Sequence, residues 1–194
     1  MATASLAKPF ISGILPQNRT ARLAMQVGIA IVGSLFLTLT AKTKVFLGPV
    51  DLNLGTLGIF LIAALFGSRL GLATILLYMA EGAAGLPVFQ SSPEKGVGLL
   101  YMLGTTGGYL AGYVVAGAVV GWAADRGFDR NPFKIGAAMA VGEIAIMGLG
   151  FAWLATLIGS QAAYTAGVVP FLLGDAIKIA LAASVVAAVR SLRA

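Results

Sequence analysis

Long apolar stretches alternate with short polar or glycine- and proline-rich segments along the whole chain. A helix needs about 20 apolar residues to cross a bilayer. The pattern therefore predicts an all-α integral membrane protein with a six-transmembrane-helix bundle in a single domain, residues 1–194. The predicted helices cover residues 21–40, 53–67, 70–84, 99–123, 133–158 and 168–190. The second and third are short, so we expect them to stand upright, to kink or to cross only part of the bilayer.

The composition supports a membrane protein and argues against most enzymes. Hydrophobic residues make up 59% of the chain and charged residues 10%, against about 45–50% and about 25% in soluble proteins. The sequence has no His and no Cys, so the common nucleophile–base pairs and the usual zinc and haem ligands are missing. Its net charge of +6 comes from basic residues scattered singly, which does not form the basic stripe of a nucleic-acid-binding protein. We expect no enzyme activity, no cofactor, no metal and no nucleic acid.

The last apolar segment carries one acid and one base near its start. It reads Val-Pro-Phe-Leu-Leu-Gly-Asp-Ala-Ile-Lys over residues 169–178. Asp175 and Lys178 are three positions apart, so they share one face of a helix. Charged side chains inside a bilayer are costly and usually face the bundle interior at a functional site. We expect the pair to line a solute pocket. The alternatives are a buried pair that only orients the helix, or a pair at the level of the lipid headgroups.

The segment of residues 85–96 is neither a regular helix nor an ordinary polar loop. It contains two prolines and two glycines, which exclude a regular helix. Leu86, Val88 and Phe89 are nevertheless too apolar for a solvated loop. We expect a folded-back lid with an apolar edge towards a cavity and a polar edge towards water. The alternative is an interfacial loop that dips into lipid.

The cations predict the orientation of the bundle. Six spans place both termini on one side of the membrane, and the positive-inside rule assigns that side to the cytoplasm. Residues 42–51, residues 85–98 and the start of the last helix then lie outside, which predicts an outward-facing pocket. Nine cations lie on the terminal side: Lys8, Arg19, Arg22, Arg69, Arg126, Arg130, Lys134, Arg190 and Arg193. Three lie on the opposite side: Lys42, Lys44 and Lys95.

Small and acidic residues inside the apolar segments leave two interpretations each. In the first helix, Ala24 with Gly28 and Ala30 with Ser34 have the small-xxx-small spacing that lets another helix approach closely, or they are ordinary membrane-helix composition. The glycines of residues 104–117 permit tight helix packing, the more frequent cause, or close approach of a ligand. Glu143 either faces the same cavity as Asp175 or lies neutral and hydrogen-bonded in the bundle.

Four motifs, in this order and spacing, resemble one transporter family. They are Gly-x-Arg-Leu-Gly at 67–71, Gly-Leu-Pro-Val-Phe at 85–89, Thr-Gly-Gly-Tyr-Leu at 106–110 and Gly-Asp-x-x-Lys at 174–178. Together they are similar to the biotin-specific substrate-binding subunits (S components, BioY family) of energy-coupling-factor (ECF) transporters, over nearly the whole chain. Two features depart from the family: residues 51–57 read Asp-Leu-Asn-Leu-Gly-Thr-Leu instead of Pro-x-Thr-x-Gln-Thr-Leu, and Leu173 replaces the frequent Pro before Gly-Asp.

The resemblance implies a high-affinity biotin-binding subunit for biotin uptake in the bacterial plasma membrane. Its partners would be a transmembrane coupling subunit and two ATP-binding subunits, since this chain has no Gly-x-x-x-x-Gly-Lys-Ser/Thr motif. Asp175 would accept a hydrogen bond from a ureido N–H of biotin. Lys178 would donate to the ureido carbonyl or to the valerate carboxylate. Apolar cover is expected from Leu86, Val88, Phe89 and Tyr109, further contacts from Asn53, Gln90, Lys95, Thr106 and Glu143, and the partner interface from Ala24, Gly28, Ala30 and Ser34.

Three alternatives remain open. Within transport, the chain would bind another small vitamin. In a different class, it would be an intramembrane enzyme that uses Glu81, Glu143 and Asp175 with a bound metal. In a third class, it would be a structural membrane subunit that binds no small molecule.

Overall fold

The architecture is a helical bundle with one short strand pair at one end. The computed structural model describes residues 10–46 and 51–192; the cations Lys8 and Arg193 and connector residues 47–50 lie outside the described residues. The elements are α1 (Arg19–Lys42), β1 (Lys44–Phe46), β2 (Asp51–Asn53), α2 (Gly55–Ala83), α3 (Gly98–Met102), α4 (Gly107–Asp125), α5 (Pro132–Ile158), α6 (Ser160–Gly167) and α7 (Leu172–Ser191), with 3-10 turns at Phe10–Gly13 and Phe128–Arg130.

Five of the described helices, α1, α2, α4, α5 and α7, are long and apolar enough to cross a membrane. The prediction of an all-helical membrane protein is confirmed at this level. The count of six spanning helices is not confirmed. The difference arises in α2, which covers both of the short helices predicted from the sequence.

Helix α2 is interrupted at Gly67, which has φ 78° and ψ −178°. This backbone conformation is accessible almost only to glycine. A Cβ placed on Gly71 would lie 3.1 Å from the Cα of Ala63, although eight residues of straight helix span roughly 12 Å. The chain therefore folds back at Gly67, and α2 consists of two packed arms, residues 55–66 and 68–83. Asp125 at the end of α4 accepts hydrogen bonds from the backbone N–H and the hydroxyl of Ser68, which hold this turn in place.

Two other predicted segments differ from the structure. The predicted helix 99–123 is divided into α3 and α4, and the indole of Trp153 donates a hydrogen bond of 2.8 Å to the carbonyl of Gly104 in the gap. The predicted connector 159–167 contains α6. Its position is fixed by Ala163, which is fully buried, and by a 2.8 Å hydrogen bond from the Tyr109 hydroxyl to the Gly167 carbonyl.

The core lies between α2, α4, α5 and α7, while α1 packs along α2 and keeps most of its surface exposed. Helices α4 and α5 approach closely at Gly112, where a Cβ would lie 2.5 Å from the Cα of Ile146. At this position the glycine serves helix packing, the more frequent of the two causes considered for the glycine-rich segment.

Ionic and aromatic contacts hold the end of the bundle that contains the Gly67 turn. Asp129, fully buried in the Phe128–Arg130 turn, pairs with Arg190 near the end of α7. Burial raises the pKa of the Asp129 carboxyl, and the hydrogen bond and charge of Arg190 oppose that rise. The guanidinium of Arg126 lies 3.7 Å from the ring centre of Trp122. The ion pair connects the Phe128–Arg130 turn to the end of α7, and the aromatic contact lies within the end of α4.

Candidate functional site

A cavity of about 800 Å³ opens at the other end of the bundle. It lies where α4 and α7 begin and where α1 and α5 end, and the segment after α2 covers it. Ligand cavities in proteins typically measure about 300–1,000 Å³ and are mostly apolar with a few placed polar groups. This cavity has the size and the mixed lining of a small-molecule site.

The charged pair of α7 faces this cavity. Lys178 Nζ donates to Asp175 Oδ1 at 2.9 Å, and the two residues are 7% and 3% exposed. Asp175 lies in the first turn of α7, where the helix dipole favours a negative charge. Its second oxygen, Oδ2, is buried and has no hydrogen-bond partner among the described residues. The pair is thus buried at the cavity wall, with one carboxylate oxygen available as an acceptor.

Of the two sequence-based interpretations of Glu143 on α5, the structure agrees better with the second, a carboxyl group hydrogen-bonded inside the bundle. It is buried and interacts electrostatically with Asp175 and Lys178. Its side chain is not part of the cavity lining. No described N–H or O–H group donates to its oxygens, and its carboxyl lies within hydrogen-bonding reach of the carboxyl of Asp175. Glu143 therefore adds a second acidic group close to the charged pair without reaching the cavity itself.

Aromatic rings form the cover of the cavity. Phe89, 1% exposed, packs edge-on against Tyr78 and stacks on Tyr101, with ring centres 5.3 and 5.1 Å apart. The Tyr78 hydroxyl donates to the Val88 carbonyl at 3.3 Å, and the Tyr101 hydroxyl donates to the Gln90 carbonyl. Burial raises the pKa of Tyr101, against a smaller opposing effect of its hydrogen bond with Thr106, so Tyr101 remains a neutral donor. Residues 88–90 are thereby held over the cavity.

Two further hydrogen bonds connect this cover to neighbouring segments. The Asn53 side-chain amide donates to Gln90 Oε1, and Asn53 Oδ1 accepts from the backbone N–H of Gly55 at 2.6 Å. Lys42 Nζ at the end of α1 donates to the Ser92 carbonyl at 2.7 Å. The rim is therefore a connected structure rather than a free loop.

The structure brings most of the predicted binding residues to this cavity. Eight of them line it: Asn53, Phe89, Gln90, Lys95, Thr106, Tyr109, Asp175 and Lys178. Leu86 and Val88 do not. Leu86 is 52% exposed and points away, whereas Val88 is buried behind the cover and contributes only its carbonyl. The expectation that these two side chains cover the ligand is not supported, because the turn at residues 85–88 directs only Phe89 inwards.

Other lining residues were missed by the sequence analysis. Tyr78, Tyr101 and Tyr113 place phenol rings in the wall, and the buried hydroxyl of Thr56 lines it without a hydrogen-bond partner among the described residues. Tyrosines in apolar helices were an available signal, because a buried phenol hydroxyl usually needs a polar partner.

Of the four residues predicted to form the partner surface on α1, two are buried in the structure and two are exposed. Ala30 and Ser34 are buried against α2, and the Ser34 hydroxyl donates to Glu81 Oε1 at 2.8 Å. Their small-residue spacing serves the packing of α1 on α2, so the expectation that they contact a partner is corrected. Ala24 and Gly28 are exposed, and a Cβ at Gly28 would meet no atom within 4 Å.

Of the three carboxylates required by the enzyme alternative, Glu143 and Asp175 lie close together, whereas Glu81 lies apart from them. Glu81 bonds to Ser34 and is absent from the cavity lining, and Glu143 stands behind it. Within residues 10–46 and 51–192, no group of three His, Cys, Asp or Glu side chains is placed to hold a metal ion.

Fold and cavity together define a polytopic membrane protein with a ligand-sized cavity at one end. The fold is similar to that in the 2.1 Å crystal structure of the S-component for biotin from an ECF-type ABC transporter, with a TM-score of 0.76, 21% sequence identity, and coverage of 91% of this chain and 95% of that one. The BioY family model matches residues 14–194. The chain belongs to the BioY family.

Relatives are found in distant organisms. The probable biotin transporter BioY of Pyrococcus horikoshii is 34% identical over 152 residues, which cover 77% of this chain and 88% of the relative. The biotin transporter BioY of Thermotoga maritima is 33% identical over 137 residues, covering 71% and 79%.

Proposed function

We propose that this chain is the membrane-embedded biotin-binding subunit of a biotin uptake system. The observation that carries the proposal is the buried Asp175–Lys178 pair at the wall of a ligand-sized cavity, with Asp175 Oδ2 unpartnered. Membership of a family whose relatives are named biotin transporters supports the choice of ligand. The role is that of a binding subunit and not of an enzyme, with biotin as cargo and no cofactor.

The pair complements the ureido ring of biotin, which offers two N–H donors and one carbonyl acceptor. Asp175 Oδ2 accepts from a ureido N–H. Lys178 uses one of its three N–H groups on Asp175 and keeps two for the ureido carbonyl. Charge-assisted hydrogen bonds of this kind are short and strong in a dry site. Phe89 and Tyr109 then cover the thiophane ring and the chain.

The valerate carboxylate lies towards the rim in this orientation. Lys95 is exposed and also lines the cavity, so its ammonium supplies a cation at the open end. This places the charged tail of biotin near water, where its desolvation cost is lowest.

The direct test of the ligand is mass spectrometry of small molecules released from the protein purified from cells grown with biotin. Biotin is the expected compound, and binding of labelled biotin should resist competition by other vitamins. Recovery of a different vitamin would identify that vitamin, and not biotin, as the ligand of the cavity. Recovery of no small molecule, together with no biotin binding, would favour a structural subunit.

Replacing Lys95 with Met tests the orientation. Exposed ion pairs contribute about 0.2–1 kcal/mol, so the Kd for biotin should rise by no more than about fivefold. The Kd for biotin amide, which has no carboxylate, should not change. Titration calorimetry with both ligands measures the difference, and Lys134→Met at the other end of the bundle is the matched control. Equal weakening of both ligands would contradict this orientation.

For the membrane topology, we propose six spans, an outward-facing cavity and cytoplasmic termini in the bacterial plasma membrane. The reversal at Gly67 supports separate crossings by the two arms of α2. Because the sequence has no Cys, single cysteines can be placed at Lys95 and Arg130. A membrane-impermeant maleimide should label Lys95→Cys in intact cells and leave Arg130→Cys unlabelled; the reverse result would invert the topology.

As partners we propose a transmembrane coupling subunit and two ATP-binding subunits, with the coupling subunit on the face of α1 that carries Ala24 and Gly28. Gly28→Leu fills the open space on this face without a clash inside the chain. Co-purification of the coupling subunit should fall severalfold while biotin binding persists. Gly148→Leu, at an equally open position on α5, is the control. If the coupling subunit is lost from both variants, or from neither, the proposed interface on α1 is wrong.

A further inference from the structure

A groove between α1 and the second arm of α2 lies at the end of the bundle opposite the cavity. It encloses about 540 Å³ and includes the side chains of Arg19, Arg22 and Arg69. Its apolar part is formed by Leu23, Val27 and Leu70. We call it the basic groove. Arg69 follows directly after the Gly67 turn, so the fold itself brings the third arginine beside the first two.

The three guanidinium groups have no acidic counterpart in the basic groove. Among the residues that the structure describes, no carboxylate lines it. Asp125, the acid beside the Gly67 turn, binds Ser68. All three arginines are exposed. A concentrated positive charge thus borders apolar surface on the outside of a membrane-spanning bundle.

This combination matches one kind of ligand. Guanidinium groups bind phosphate oxygens through paired, charge-assisted hydrogen bonds. Basic pockets between membrane helices accommodate anionic lipid headgroups. The apolar part of the groove continues along α1 towards the bilayer interior, in the direction that an acyl chain takes below its headgroup.

We propose that the basic groove binds an anionic phospholipid, with the headgroup phosphate on the three arginines and an acyl chain along Leu23, Val27 and Leu70. The site is separate from the proposed partner surface. Groove residues recur on α1 at intervals of three or four, whereas Ala24 and Gly28 lie about half a turn around the helix. A lipid and a coupling subunit can therefore occupy α1 together.

Native mass spectrometry of the full chain released from mixed micelles tests the proposal, with phosphatidylglycerol and phosphatidylcholine as the two probes. The wild type should retain phosphatidylglycerol in preference. Each basic residue near a membrane surface contributes about fivefold to anionic-lipid attraction, so R22Q/R69Q should weaken retention about thirtyfold. The matched control R130Q/K134Q removes two cations from the same end but none from the basic groove, so it should weaken retention clearly less than R22Q/R69Q.

A second variant tests the groove without changing its charge. Ala73 is exposed and also lines the basic groove, so Ala73→Leu fills part of its volume and should reduce retention of phosphatidylglycerol. Biotin binding should be unchanged in all three variants and serves as the check of folding. Any one of three results would overturn the proposal. R22Q/R69Q and its control could lose phosphatidylglycerol equally, Ala73→Leu could retain phosphatidylglycerol as well as the wild type does, or the wild type could retain phosphatidylcholine as well as phosphatidylglycerol. Release of the coupling subunit with lipid retention intact would assign the groove to a protein partner instead.

Discussion

Asp175→Asn and Lys178→Met are each expected to abolish high-affinity biotin binding. Asp175 offers its free oxygen to the ligand, and Lys178 both holds Asp175 and donates to the ligand. Truncating one partner of a buried, hydrogen-bonded charge pair costs about 2–5 kcal/mol of binding, which corresponds to a rise in Kd of roughly 30- to 4,000-fold. Titration calorimetry on the protein in detergent gives the Kd values directly.

Folding and binding must be separated in this experiment. Each single variant leaves a buried charge without its hydrogen-bonded partner, which costs about 3–5 kcal/mol of stability. Glu143 remains in every variant as a further buried acid near Lys178. The double variant Asp175→Asn/Lys178→Met removes both charges, so it should melt closer to the wild type than either single variant while still failing to bind. Wild-type affinity in any of the three variants would eliminate the assigned site.

Gly112→Ala is expected to lower the stability of the bundle by about 1–3 kcal/mol, the usual cost of overpacking a close contact. The added Cβ would lie 2.5 Å from the Cα of Ile146, so α4 and α5 must move apart because backbone cannot rotate away. Both helices contribute to the cavity wall through Tyr109 and Leu154. We therefore expect weaker biotin binding together with the lower melting temperature.

Gly148→Ala provides a control on α5, because a Cβ there would meet nothing within 4 Å. The two tryptophans, Trp122 on α4 and Trp153 on α5, report the separation of these helices by their fluorescence during thermal unfolding. A Gly112→Ala protein that melts no earlier than Gly148→Ala would show that the interface adapts without cost.

The class of protein and the charged pair were accessible from the sequence because both depend on local chemistry. A charge in an apolar segment is conspicuous wherever the helices pack. The fold-back at Gly67 was similarly visible as a glycine-rich interruption. The count of six spanning helices stays a prediction, because the two arms that the sequence predicts as separate helices form one element, α2, in the structure.

The rest of the site depends on tertiary contacts that one sequence does not encode visibly. Ser34 is buried and Gly28 is exposed because of the face of α1 that packs on α2. Helix α6 has a short, weakly polar sequence and depends on the burial of Ala163 and on the Tyr109 contact. The turn at residues 85–88 directs Phe89 inwards and Leu86 outwards, although both are apolar residues of the same segment.

The hydrogen bonds that reach residues 88–92 have a consequence for the rate of exchange. The segment is held by Lys42, Asn53 and Tyr101, which come from three different parts of the chain. If a solute leaves past this segment, several of these attachments must open together. We expect a long residence time, so that a molecule captured from a dilute medium is retained until the slower steps of uptake follow.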